Sequence, residues 1–155
     1  MAKIYNREKN VYSVDLMIAY VGLFELESIE VDIEKLRPSM NLPYWLSRKG
    51  RDMRRLSPAQ ALEDPDEYPD HTRKIAQADL RYPIFIHEDY RLIDGAHRLA
   101  KAFSDDRKTI KAYMFSDELM EKFIVNTEGQ IQIGKIISVA QQIHIFYKRF
   151  VDDKT

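Results

Sequence analysis

Three rhythms of apolar residues run along this chain. Ile29, Val31 and Ile33 alternate with Glu30, Asp32 and Glu34, the period of a strand with one buried face. Pro83 to Ile86 is a compact apolar run and Tyr90 to Ile93 makes a second, with a polar link at His87-Glu88-Asp89, so a strand, a tight turn and another strand over Arg91 to Ile93 are expected. After Ile93 the period changes. Leu99, Ala100, Ala102 and Phe103 recur at helical spacing, which predicts a helix starting at Gly95 or Ala96, and Thr109 to Phe115 returns to strand. Strands and helices in this order predict one α+β domain over residues 1–155, with a mixed sheet and packed helices. Its core is expected at about 26–115, followed by a hairpin and helix at 116–151.

The flanking segments add detail. Ser13 and Gly22 bracket Val14 to Val21 as an N-cap and a C-terminal glycine, and the helix between them is apolar on almost every side, as a buried packing helix would be. Between Arg37 and Tyr68 periodicity fades and four prolines intervene, so this is expected to be the least ordered third. Asp70 is expected to cap a helix over His71 to Ala78. Phe123 to Ile133 reads as a hairpin or extended loop around Gly129. Gly134 opens a last helix that brings Ile136, Ala140, Ile143, Tyr147 and Phe150 to one face. That face is expected to cover the sheet, with pairing to a second copy as the alternative, giving a monomer or a homodimer.

Composition narrows the classes. With 45% hydrophobic residues in 155, the chain can bury one core. Twenty-four basic and 25 acidic residues leave a net charge of −1, so attraction to nucleic acid would have to come from a local patch. Arg48, Lys49, Arg51, Arg54 and Arg55 against a single Asp52 form one such patch. The absence of cysteine excludes disulfides, thiolate nucleophiles and cysteine zinc sites, and a cytoplasmic protein is expected. Leu16 to Phe24 is the longest apolar run, short of the roughly 20 residues a membrane span needs, so no membrane partner is expected. The four histidines lack the paired spacing of a zinc site, and no nucleophile elbow or Walker A loop is present.

The candidate chemistry lies in Asp94-Gly95-Ala96-His97-Arg98, where a strand runs into a helix. Helix-starting N–H groups lack intrahelical partners and attract anions. Gly95 would allow close backbone approach, Asp94 would cap the helix, hold a metal or take a proton, and His97 and Arg98 carry positive or polarisable groups where the helix dipole opposes them. An anionic ligand would explain that placement, and replacing Arg98 should then cost the fold little.

These residues also resemble a family. PIFI, a polar turn, RLIDGAHRLAKA and then IKAYMF look like the core of the ParB/sulfiredoxin-like superfamily over roughly Asp70 to Phe115, closest to stand-alone members such as the free serine kinases. In that family the turn binds nucleotide phosphates. The resemblance implies a ParB/sulfiredoxin-like mixed sheet and a nucleotide ligand (ATP, ADP or CTP) with Mg²⁺. It assigns phosphate binding to Gly95, Ala96, His97, Arg98, His71 and Lys74, and catalysis to Asp94, His97 and Arg98, with Asp94 on the metal. A phosphotransferase or nucleotide hydrolase is the leading expectation, with Glu30 as a candidate base. Ala96 stands where sulfiredoxins keep their cysteine, which excludes their redox repair. The alternative is a non-catalytic nucleotide- or DNA-binding module that uses the Arg48–Arg55 segment.

Overall fold

The computed structural model describes residues 3–49, 51–125 and 139–151. A first hairpin, β1 (Ile4–Arg7) and β2 (Asn10–Ser13), leads into α1 (Val14–Leu23). After β3 (Ile29–Asp32) and a 3-10 segment (Ile33–Asn41) come β4 (Trp45–Lys49), β5 (Asp52–Leu56), α2 (Pro58–Glu63) and α3 (Pro69–Gln77). The motif region follows as β6 (Ile84–His87), β7 (Leu92–Asp94), α4 (Ala96–Ser104) and β8 (Thr109–Phe115). The chain continues through α5 (Asp117–Glu121) and α6 (Val139–Phe146), ending in a π-turn over Tyr147–Val151. This α+β chain divides into two units, residues 28–114 and residues 1–27 with 115–155.

In the 28–114 unit the strand order is β3-β8-β6-β7. β3 runs antiparallel to β8 with Val31 opposite Ile110, and β6 antiparallel to β7 with Phe85 opposite Asp94. All four expected strands form. The second begins at Ile84 rather than Pro83, whose missing N–H cannot join a ladder, and the first ends at Asp32, whose carboxylate accepts from the Glu34 N–H at 3.0 Å and starts the 3-10 segment. Val31, Ile84, Ile86, Leu92, Leu99 and Ile110 pack together, each buried side chain contributing roughly 1.5–3 kcal/mol. Ala100, Ala102 and Ala112, all fully buried, allow close packing in this core.

The proline-rich stretch is more ordered than its sequence suggests, because Pro58 starts an element instead of breaking one. It occupies the first turn of α2, where no N–H is needed, and Ser57 and Gln60 close a reciprocal capping box. The basic cluster lies on the antiparallel β4–β5 ribbon. Asp70 does not cap α3. Tyr68 is the cap residue, Pro69 follows, and Asp70 sits in the first turn 3.3 Å from Arg73.

In the other unit, Ser13 caps α1 as expected, accepting from the Leu16 N–H at 3.2 Å and donating to Gln142 Oε1 at 2.6 Å. Gly22 does not end the helix, which continues to Leu23. Nor is α1 buried all round. Val14, Leu16 and Met17 are inside, while Ile18 and Leu23 are exposed. Phe123 packs edge-on against Phe115 at 5.8 Å and also meets Phe150 and Tyr20. The C-terminal apolar face is split. Gln142 and Phe150 are buried, but Ile143 and Tyr147 are 63% and 55% exposed. Ile136 and the hairpin expected around Gly129 lie outside the described residues. Among the described residues no helix is long and apolar enough to cross a membrane.

Candidate functional site

Asp94 ends β7 and Gly95 turns the chain with φ = 104°, a left-handed conformation that L side chains resist. A Cβ there would lie 2.8 Å from Ile84 Cγ2 and 3.0 Å from Arg98 Nη2. The protein itself fills the space beside Gly95, so the glycine is required by the turn and by Ile84 rather than by a ligand's approach. Helix α4 starts at Ala96 without a side-chain cap, and Asp94 does not supply one.

Asp94 faces Arg98 instead, with Oδ2 3.3 Å from Nη2. The Arg98 Nη1 group donates to the carbonyls of Tyr82 at 3.1 Å and Pro83 at 2.6 Å. These partners explain a cation in the first helical turn without any anionic ligand, and the expectation that Arg98 contributes little to the fold is reversed. Burial lowers the pKa of Arg98, against the opposing pull of Asp94.

His97 turns toward α3, where His71 Nδ1 lies 3.0 Å from its Nε2. The two imidazoles are within 15° of coplanar, and both stack on the indole of Trp45, with centroids at 4.4 Å for His71 and 4.3 Å for His97. In such a pair one N–H donates to the other ring's lone pair, which requires at least one neutral ring. Burial pushes the His97 pKa down to about 4, with further lowering by His71 and Lys74. Burial also lowers His71, as does Lys74, while Asp70 raises it. Lys74 thus acts on both imidazoles through its charge.

A folded-state pKa below the unfolded value means that protons bind preferentially to the unfolded chain. Stability from neutral His97 is therefore complete above the unfolded value near 6.5 and declines as pH falls toward about 4. In an NMR titration the His97 ring protons should hold their neutral shifts well below pH 6. A His97 midpoint near 6.5 would contradict the half-buried pair.

Beside this stack lies an open groove of about 350 Å³, lined by Lys74 and Gln77 of α3, by Asp79 and Tyr82 before β6, and by His97 and Arg98 of α4. Lys101 fixes the α3 end of the groove, donating from Nζ to the carbonyls of Ala76 and Ala78, both at 3.0 Å. A cation at a helix C-terminus is well placed there. Asp79 is held at a pKa of about 2 chiefly by side-chain hydrogen bonds from Arg81, at 2.7 Å for the closest, and by the Arg81 backbone N–H. Tyr82 is 65% exposed.

Among the described residues no three histidine or acidic groups converge as a metal site. Asp94 is engaged by Arg98, so a metal ion there would first have to break that pair. Glu30 is far from the turn: it lies on β3, at the opposite edge of the sheet from the strand that carries Asp94. At about 4.8 Å per strand, it is some 14 Å removed.

The structure thus brings His71, Lys74, His97 and Arg98 together and leaves Glu30 and the Arg48–Arg55 segment apart. Sequence reasoning missed Tyr82, Gln77 and Lys101, since no local pattern pairs residues so distant along the chain. Comparisons with models of protein families, with curated proteins and with solved structures returned no match to this chain.

Proposed function

We propose that the groove at the start of α4 binds a phosphate-bearing ligand, a nucleotide best of all, in a chain of ParB/sulfiredoxin-like type. One observation carries the reading: an uncapped helix start opens on a groove that also holds the Lys74 ammonium and the exposed ring of Tyr82. The amides at the start of α4 suit phosphate oxygens, Lys74 adds charge, and Tyr82 offers a face on which a base can stack. The Asp94-Gly95-Ala96-His97-Arg98 resemblance to nucleotide-binding turns supports it independently.

Binding is favoured over turnover. Asp94 and Arg98 are bonded to each other, and Arg98 also to the Tyr82 and Pro83 carbonyls, which leaves His97, backed by His71, as the imidazole that lines the groove. Phosphoryl transfer or hydrolysis would draw its proton acceptor from that pair. Among the described residues no protein cage for Mg²⁺ is in place, so magnesium would enter as the phosphate's own counterion.

Calorimetric titration with ATP, ADP, CTP and pyrophosphate, each with and without Mg²⁺, tests this. Lys74→Ala should weaken binding about ten-fold or more, the worth of one charge-assisted hydrogen bond, while leaving the melting temperature unchanged because Lys74 is exposed. Tyr82→Ala should weaken nucleotides but not pyrophosphate. No binding of any phosphate compound by the wild type, or full affinity in Lys74→Ala, would refute the proposal.

A further inference from the structure

The β4–β5 ribbon is a second feature with its own chemistry, separate from the groove. Trp45 pairs with Leu56 at its base, and Leu56 is only 2% exposed, so this end is rooted in the core. Beyond it the side chains turn outward. Leu46 lies opposite Arg55 and Arg48 opposite Met53, and these four share one face because paired residues in an antiparallel ladder point the same way. Leu46 and Met53 are 63% and 60% exposed, which identifies that face as the solvent side. Arg54, opposite Ser47, is on the other face, that of Trp45 and Leu56, but its side chain is exposed, as is that of Arg51 near the turn. Among the described residues Arg51, Arg54 and Arg55 form no ion pair, and Asp52 is the only acidic residue in the ribbon.

We propose that this ribbon is a duplex-DNA-binding arm. A two-stranded antiparallel ribbon is one of the two backbone shapes that the B-form major groove, about 12 Å wide, admits. Arginines on its outer face and tip reach phosphates on both sides of the groove, and Leu46 and Met53, between them, meet the apolar edge that thymine methyl groups present there. A-form RNA is a poorer partner, because its major groove is too deep and narrow for such an insertion. The overall charge of −1 makes the patch local, so binding is expected to be of the non-specific class, with Kd of roughly 10⁻⁴–10⁻⁶ M at physiological salt.

Fluorescence anisotropy of the full chain with a labelled mixed-sequence DNA duplex tests this across a salt series. The Arg51→Ala/Arg54→Ala/Arg55→Ala variant should bind at least ten-fold more weakly, and its log–log salt slope should be shallower by about 2–3, near 0.9 for each phosphate no longer neutralised. The corresponding triple lysine variant should keep the slope, and Lys74→Ala in the groove should keep the affinity. These residues are exposed, so circular dichroism melts of both triple variants should match the wild type. Absence of duplex binding, an unchanged affinity in the triple alanine variant, equal or tighter binding to double-stranded RNA, or binding only to anionic phosphatidylserine vesicles would each overturn the proposal.

Discussion

Gly95→Ala should destabilise the protein by about 3 kcal/mol, the upper part of the range for a side chain forced into a sparsely populated backbone region. Two costs combine. The backbone at Gly95 has φ = 104°, and the new Cβ would meet Ile84 Cγ2 at 2.8 Å, well inside normal contact. Ile84 is fully buried in the sheet and has little room to yield. Urea unfolding of Gly95→Ala would measure the sum, and the same substitution beside Ile84→Ala, which removes that methyl, would separate the parts. In the double variant the steric part should vanish, giving a coupling of at least about 0.5 kcal/mol. A single variant as stable as the wild type would show that the turn relaxes freely, and strict additivity would remove Ile84 from the explanation.

Arg98→Ala should cost about 2–3 kcal/mol. The guanidinium satisfies two carbonyls before β6 and the Asp94 carboxylate, and its side chain is only 20% exposed, so truncation leaves acceptors with reduced access to water. Opposing this is a small gain from removing a cation at a helix start, a few tenths of a kcal/mol to about 1 kcal/mol. The hydrogen bonds win by magnitude. Arg98→Lys should recover only part, since an ammonium cannot span the same fork. If chemical denaturation finds Arg98→Ala equal to or more stable than wild type, the latch is not the residue's role.

These outcomes mark where the sequence was readable. Apolar alternation at Ile29–Ile33 and the run at Ile84–Ile86 located two strands to within a residue, because burial of one or both faces leaves a periodic trace. The change of period after Ile93 located α4. The hairpin of β1 and β2 left no such trace, since Tyr5 and Ser13 are its only buried positions. The β4–β5 ribbon was hidden for a related reason: a solvated ribbon rich in arginine has the composition of a loop, and only its register reveals it. In the motif, residue types were legible but partners were not. A cation opposed to a helix dipole suggests a ligand until Tyr82, Pro83 and Asp94 are seen to surround it. The His71–His97 pairing joins residues 26 apart and depends on how α3 and α4 pack, which no local period encodes.

Trp45 belongs to two places at once: it is the first residue of β4 and the platform under the His71–His97 pair. The ring that carries the imidazole pair is therefore also the ring that starts the ribbon. Should both proposed ligands bind, any coupling between them through this ring would have to be reciprocal. Trp45 is the chain's single tryptophan, so its emission would follow such a coupling from either end without an added label.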